Sequence, residues 1–378
     1  MGTGIALGLM ALIFLASIFS IELAISVSLI EITFGVIVGN VFHLTSPPAM
    51  VYLAGLASIV LTFLAGAEVD VDLLRSKFKE SLLIGGISFL VPFIGAMAFA
   101  YYIAGWSLGA AKIAGVALST TSLAVVYAVL VETGLTSTKI GKLIMASCFI
   151  TDLGTAVALS ALFAQFNWWT LVFLMASAVL IFIGPRLVRP IFNRYGGKVI
   201  EPEIKFLLLL LSVFIFLAEK GASHAVLPSF IFGLAMARTM QEKPEITRRL
   251  RVISFTLLTP FFFIKAGMNV SLPLVTANFG WLVLFFVVKV TAKALGVFPL
   301  ARHYVGKDSI YTTLLMSTGL TFGTISAMFG LNAGIINRTQ FSILVTVVVL
   351  SAVIPTFIAQ KWFQPAVNLG DNNGNHEA

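Results

Sequence analysis

Asp152 is the residue of this chain with the strongest reason to do chemistry. It falls near the middle of an apolar stretch, in Ser147-Cys148-Phe149-Ile150-Thr151-Asp152-Leu153-Gly154-Thr155. A charge in hydrocarbon costs at least about 2.5 to 3.5 kcal/mol on insertion scales, so an acid at that depth needs a reason to be there. Ser147, Thr151 and Thr155 recur at i, i+4 and i+8, and on a helix they share one polar face, which suits a hydrated cavity. Burial favours the neutral acid and a neighbouring cation favours the carboxylate, so a group held between the two can trade a proton for a metal ion. Competition for one carboxylate would then couple two fluxes. The structural alternative is an acid locked permanently to a neighbouring lysine to fix helix register.

Two other segments interrupt apolar spans with hydroxyls and glycines. They are Leu118-Ser119-Thr120-Thr121-Ser122-Leu123 and Met316-Ser317-Thr318-Gly319-Leu320-Thr321-Phe322-Gly323-Thr324. A broken helix frees carbonyls that can coordinate a hard cation such as Na+ and aims half-helix dipoles at the midplane. Ser119, Thr120, Thr121 and Ser122, with Thr318 and Thr321 as accessories, are therefore candidates for ion or proton binding beside Asp152, Thr151 and Thr155. Ordinary small-residue helix packing is the plain alternative. Lys289 and Lys293, at i and i+4, share a helix face; one can snorkel, and depth alone does not choose between them. Glu31, in another apolar stretch, is a further acid that could line a cavity, whereas Glu22, Glu68, Asp70, Glu219 and Lys265 lie near predicted span ends. Cys148 stands in no metal-ligand spacing and reads as a small packing residue.

The elements that must position these residues are membrane helices. With 59% hydrophobic and 11% charged residues, the chain cannot hide its apolar surface inside a water-soluble globule. The apolar stretches have the length a helix needs to cross roughly 30 Å of hydrocarbon, about twice that of a barrel strand. About 13 spans are predicted, near 4–21, 26–43, 50–66, 81–104, 111–131, 139–164, 167–191, 204–219, 223–240, 249–267, 276–302, 309–330 and 338–363. The fold class is thus an all-α polytopic membrane protein.

The net charge of +8 is an orientation signal rather than a nucleic-acid footprint. With the N-terminus outside, 18 of the 24 Lys and Arg residues fall in inside connections, and only Lys112, Lys220 and Arg338 fall outside. No stacking aromatics interleave the basic residues as a nucleic-acid groove requires. The first 74 residues carry no Lys or Arg, so the N-terminus reads as a first span rather than a cleaved leader. The polar run 371–378 reads as a short tail too small to fold. The interrupted spans are fifth and twelfth in order, and each adjoins a span with an intramembrane ionisable residue, Asp152 in the sixth and Lys293 in the eleventh. That pairing points to an inverted repeat.

At these residues the chain resembles the NapA/Kef branch of the monovalent cation:proton antiporters, from Ile30 to about Ala359. Thr62-Phe63-Leu64-Ala65-Gly66-Ala67-Glu68-Val69-Asp70 is similar to one family signature, and Pro260-Phe261-Phe262-Phe263-Ile264-Lys265-Ala266-Gly267-Met268 to a later one. The resemblance implies two crossed discontinuous helices, a homodimer and an elevator-like movement of a core against a scaffold. It assigns 1–75 and 167–240 mainly to dimerisation and scaffold helices, and 76–165 and 249–363 mainly to the ion-transporting core, with 364–378 as a polar tail. It places the family's ion-binding pair at Thr151-Asp152, where relatives carry Asp-Asp, Asn-Asp or Gln-Asp; here the first member is Thr. It also favours Lys293 over Lys289 as the core lysine, which in electrogenic relatives pairs with the first acid. With that acid missing, Lys293 is left to pair with Asp152 itself or to act through the hydroxyl-rich breaks.

The expected function is a secondary antiporter, not an enzyme and without a resident cofactor, exchanging Na+ (or Li+ or K+) for H+ with Asp152 as the shared site. One carboxylate alternating between two monovalent ions implies electroneutral exchange. The expected location is a cell membrane, of prokaryotic type, with the C-terminus cytoplasmic. Two alternatives stand beside it. One is a Kef-like K+/H+ exchanger, although no GxGxxG turn of a nucleotide-binding domain follows Phe363. The other is a cation-coupled organic-anion symporter on the same architecture.

Overall fold

A computed structural model describes residues 3–23, 26–44, 46–136, 138–163, 168–198, 200–220 and 225–365. The tail expected over 371–378 lies outside the described residues. In chain order the α-helices are α1 (Thr3–Leu23), α2 (Val27–Val41), α3 (Pro48–Ala67), α4 (Val71–Ser76), α5 (Phe78–Ala98), α6 (Leu108–Ser119), α7 (Leu123–Glu132), α8 (Lys139–Phe163), α9 (Trp168–Tyr195), α10 (Pro202–Lys220), α11 (Val226–Glu242), α12 (Pro244–Ile253), α13 (Thr259–Asn269), α14 (Leu272–Ala277), α15 (Phe279–Val305), α16 (Ser309–Met316), α17 (Thr321–Asn332) and α18 (Arg338–Trp362). Among the described residues, nine helical stretches are long and apolar enough to cross a bilayer. Counting the pairs α6/α7 and α16/α17 as single broken rods and α12/α13 as one rod through a π-turn at Ser254–Leu258, the helices follow the 13 expected spans.

Two differences from the sequence expectation concern ends. The tenth span starts at Pro244 rather than 249, because an amphipathic turn bearing Arg248, Arg249 and Arg251 extends it. Arg251 meets Glu68 at 2.8 Å and Arg249 meets Glu201 at 2.9 Å, which ties the basic end of this rod to two neighbours. Lys265 does not lie at the end of a span either. It is inside α13 and only 7% exposed, because that rod runs on to Asn269.

The starts and stops are local. Ser107 accepts a hydrogen bond from the Ala110 amide at 3.2 Å and opens α6, while Thr138 accepts from the Gly141 amide at 3.1 Å ahead of α8. Asn337 and Gln340 form a reciprocal capping box that starts α18. Gly306 closes α15 with φ of +63°, a conformation that costs glycine nothing.

Between helices, lipid supplies no hydrophobic contrast, so close backbone approach does the packing. α2 crosses α13 where a methyl on Gly35 would strike the Ile264 carbonyl and one on Gly267 the Ile32 carbonyl. α3 crosses α11 in the same reciprocal manner, Gly66 against Phe230 and Gly233 against Phe63. These two crossings are equivalents. Matching spans two to six with spans nine to thirteen sets α2 with α11, α3 with α13, α5 with α15, α6/α7 with α16/α17 and α8 with α18, so the α2–α13 contact becomes the α11–α3 contact. The offset of seven spans is odd, which makes the repeat inverted. On the outside of this assembly, α1 and α9 turn Leu7, Phe14, Ile21, Trp168 and Phe182 outward.

Candidate functional site

The two broken rods meet at their breaks. Thr120 leaves α6 in an extended conformation, φ −65° and ψ 153°. In an apolar medium the carbonyls freed at a helix end must find partners. Here the hydroxyls that break the helix supply them: Ser119 donates to Val116 O at 2.9 Å and Thr120 to Ala117 O at 3.1 Å. The second break repeats the device, with Ser317 donating to Thr313 O at 2.7 Å and Thr318 to Leu315 O at 2.8 Å. Ser and Thr hydroxyls that bond nearby carbonyls offer the backbone an alternative to the helical ladder, which is why these runs interrupt apolar spans.

Two hydrogen bonds join one break to the other. The Ser122 amide donates to Thr318 O at 3.1 Å, and the Thr121 hydroxyl donates to Met316 O at 2.9 Å. Thr121 also accepts from Lys293 Nζ at 2.9 Å, so one hydroxyl links α15, the first break and the carbonyl end of α16. The second acceptor of Lys293 is Ser88 Oγ of α5 at 2.8 Å.

Asp152 comes to this crossing from α8. It is 2% exposed, and its Oδ1 has no hydrogen-bond partner among the described residues. Its charge and that of Lys293 are close enough to act on each other, yet no ion pair joins them among the described residues. The ammonium is held by Ser88 and Thr121 instead. Thr151 donates to Ser147 O at 2.9 Å and Thr155 to Thr151 O at 3.0 Å, so the hydroxyls of this face use their protons within α8 and keep lone pairs to offer a cation. Ser122 Oγ and Thr324 Oγ1 are also buried without partners among the described residues. The crossing therefore holds a carboxyl group with one oxygen unpartnered among the described residues, several lone-pair oxygens and a lysine fixed nearby, the chemistry of an exchangeable site for a small hard cation or a proton.

Most of the residues singled out from sequence gather here: Asp152, Thr151, Thr155, Ser119, Thr120, Thr121, Ser122, Thr318 and Lys293. Lys289 reaches the other side of the same crossing, at Gly319. Thr321 begins α17 and is half-buried. Glu31 is buried in α2 with Oε2 unpartnered among the described residues, and no hydrogen bond ties it to the crossing. Ser88 and the Met316 carbonyl were not legible in advance. Ser88 is a lone hydroxyl in an apolar run, and a carbonyl carries no residue signal.

A cavity of about 460 Å³ opens on the side of the bilayer where α1 begins. It lies between α3, α10, α11 and α13 on one wall and α8 and α17 on the other, and Ser58, Glu219, Lys265 and Asn332 are its polar lining. Its contact with α8 is Leu159, two turns along that helix from Asp152.

Replacing Thr121 with Val keeps shape and removes the link between Lys293 and Met316 O. A buried ammonium left with one acceptor, beside an unpaired carbonyl, costs about 1 to 3 kcal/mol. Cation-driven proton flux in proteoliposomes is expected to fall roughly tenfold, and Thr121→Ser is expected to restore it; equal flux in wild type and Thr121→Val would refute the link.

The model of a family described as the transmembrane sodium/hydrogen exchanger matches residues 8–363. The "Probable Na(+)/H(+) antiporter 3" of Methanocaldococcus jannaschii is 27% identical over 84% of this chain and 84% of its own. Synechocystis Na(+)/H(+) antiporter NhaS4 is 24% identical over 85% of this chain and 83% of its own. The Na(+)/H(+)-K(+) antiporter GerN of Bacillus cereus is 23% identical over 80% of each. Among solved structures, the sodium proton antiporter MjNhaP1 from Methanocaldococcus jannaschii at pH 8 superposes with a TM-score of 0.71 at 17% identity, covering 97% of this chain and 100% of that one.

Proposed function

We propose, from the premise that this chain belongs to the transmembrane sodium/hydrogen exchanger family, that Asp152 is the carboxylate at which it takes up Na+ and H+ in turn. The protein is a multi-pass membrane Na+/H+ antiporter, a secondary transporter rather than an enzyme. The observation that carries the role of Asp152 is a buried carboxyl oxygen without a partner among the described residues, beside two helix breaks that present lone-pair oxygens.

Exchange then needs no second coupling device. A carboxylate holding Na+ has no room for a proton, and a protonated one has no charge for Na+, so each ion leaves only as the other arrives. Alternation between the two sides is supported by the cavity that ends against α8 and α17. We read α8 and α17 as part of a core that moves against a scaffold including α3 and α11. Two copies are expected to pair through scaffold helices, a reading supported by the apolar outer faces of α1 and α9. The distribution of Lys and Arg supports a cytoplasmic C-terminus, with the cavity open to the outside of a prokaryotic cell membrane.

Proteoliposomes loaded with a pH dye and challenged with Na+, Li+, K+ and choline test the exchange directly. Alkalinisation of the lumen on adding external Na+ is expected; no pH change with any alkali cation, or the same change with choline, would sink this reading. Stoichiometry is tested separately. Thr151 stands where electrogenic relatives carry a second acid, and Lys293 is tied to hydroxyls rather than to a carboxylate, so one Na+ should leave per H+. Turnover is expected to stay constant as an imposed K+/valinomycin potential is varied, whereas turnover that follows the potential would exclude one-for-one exchange.

A further inference from the structure

The proposed carboxylate site uses one side of the helix crossing, and a lysine that exchange does not employ occupies the other. The inverted repeat offers two such sides. α8 flanks the first break and brings Asp152; its equivalent α18 flanks the second break and brings Ser351. Ser351 follows Gly319 at the same interval at which Asp152 follows Thr120. Where the first side has a carboxyl group with an unpartnered oxygen, the second has the ammonium of Lys289.

Lys289 is wholly buried, and its Nζ has no hydrogen-bond partner among the described residues. The space that a side chain at Gly319 would need is taken by Lys289 Nζ, Thr120 Oγ1 and Ser351 Oγ. Both hydroxyls use their protons elsewhere, Thr120 on Ala117 O at 3.1 Å and Ser351 on Val348 O at 2.7 Å. What they turn toward any other neighbour is lone pairs. α6 and α16 both end at the crossing, and carbonyl ends favour positive charge. Lys293 cannot serve both sides, because its ammonium is held by Ser88 and Thr121.

We propose that Lys289 is a resident cation: it fills the pocket that the second repeat builds opposite Asp152, and so leaves the exchanger one site for a transported ion instead of two. Gly319 is the position that makes room for it. Lys289 is on this account a positioning residue. The proposal rests on the reading of Asp152 as the exchanging carboxylate.

The test counts ions. Equilibrium binding of radioactive Na+ to the purified full chain, by scintillation proximity, is expected to give one ion for wild type and none for Asp152→Asn. Lys289→Ala is expected to bind two, of which one survives in Lys289→Ala/Asp152→Asn. Adding Gly319→Ala to Lys289→Ala puts a methyl in the vacated pocket and is expected to return the count to one. Gly319→Ala alone pushes the ammonium out of place, and apparent Na+ affinity should drop about tenfold. A Lys289→Ala protein that binds one ion with unchanged affinity would overturn the proposal. So would a Gly319→Ala protein of wild-type affinity, and this variant decides the matter if Lys289→Ala does not fold. Retention of the wild-type ion in Asp152→Asn would instead remove Asp152 from exchange, while the count in Lys289→Ala would still decide the role of Lys289.

Discussion

Asp152→Asn should abolish exchange while leaving the protein as stable as before, or more so. Asn has the shape of Asp but can neither neutralise Na+ nor release a proton at working pH. A site that loses its only carboxylate loses the interaction that holds a partly dehydrated cation. Taking the intramembrane value of a charge, about 2.5 to 3.5 kcal/mol, as the scale of that interaction, flux should fall at least about a hundredfold, to the level of protein-free liposomes. Stability should move the other way, because Asp152 Oδ1 makes no hydrogen bond among the described residues and a buried carboxyl group without a partner is a cost to the fold. The pairing of lost flux with an undiminished melting temperature in detergent separates a functional acid from a structural one. Flux above the liposome background would remove Asp152 from the mechanism, and a melting temperature that collapses together with the flux would identify a structural acid locked to a neighbour.

Gly267→Ala should lower stability sharply. A methyl there would collide with the Ile32 carbonyl and come within 2.8 Å of the Val36 amide nitrogen and 2.9 Å of Gly35 Cα. All three are backbone atoms, so no side-chain rotation relieves the clash, and α2 and α13 must separate. Overpacking of a well-packed core costs about 1 to 3 kcal/mol and occasionally more. Here the upper end is expected, because the crossing is reciprocal and Gly35 loses its approach to Ile264 at the same time. Gly86→Ala is the control: nothing lies within 4 Å of a methyl on that helical residue, and alanine is the better helix former. Melting followed by fluorescence-detected size exclusion should show a fall for Gly267→Ala and no fall for Gly86→Ala; equal melting temperatures would mean that the two rods are free to part.

The family motif around Gly267 thus has a mechanical content that its letters do not state. Pro260 to Met268 forms the surface on which α2 lies, and Thr62 to Glu68 the one on which α11 lies. Read as sequence, the two motifs mark only a likeness. Folded, they are equivalent crossings of the two repeats, and the packing of α2 on α13 and of α3 on α11 depends on both.

Sequence by itself determined what each segment can be. Uninterrupted apolar length fixes where rods cross a membrane, because backbone in lipid must satisfy itself within a helix. Hydroxyl runs fix where two of those rods break, because Ser119, Thr120, Ser317 and Thr318 bond carbonyls of their own turns, a local contest that needs no tertiary partner. The same logic singled out Asp152, since depth in an apolar span makes an unpaired charge costly before any partner is known. Only the tertiary structure decided who meets whom. Lys293 finds Ser88 from 205 residues away and Thr121 from 172, and Thr121 finds the Met316 carbonyl from 195. It also separated two lysines that depth could not tell apart, giving Lys293 to the hydroxyls beside Asp152 and Lys289 to the pocket at Gly319. Helical periodicity reports which way a side chain faces, but the partner on that face is set by how the inverted repeats cross, and no residue along a single rod encodes that crossing.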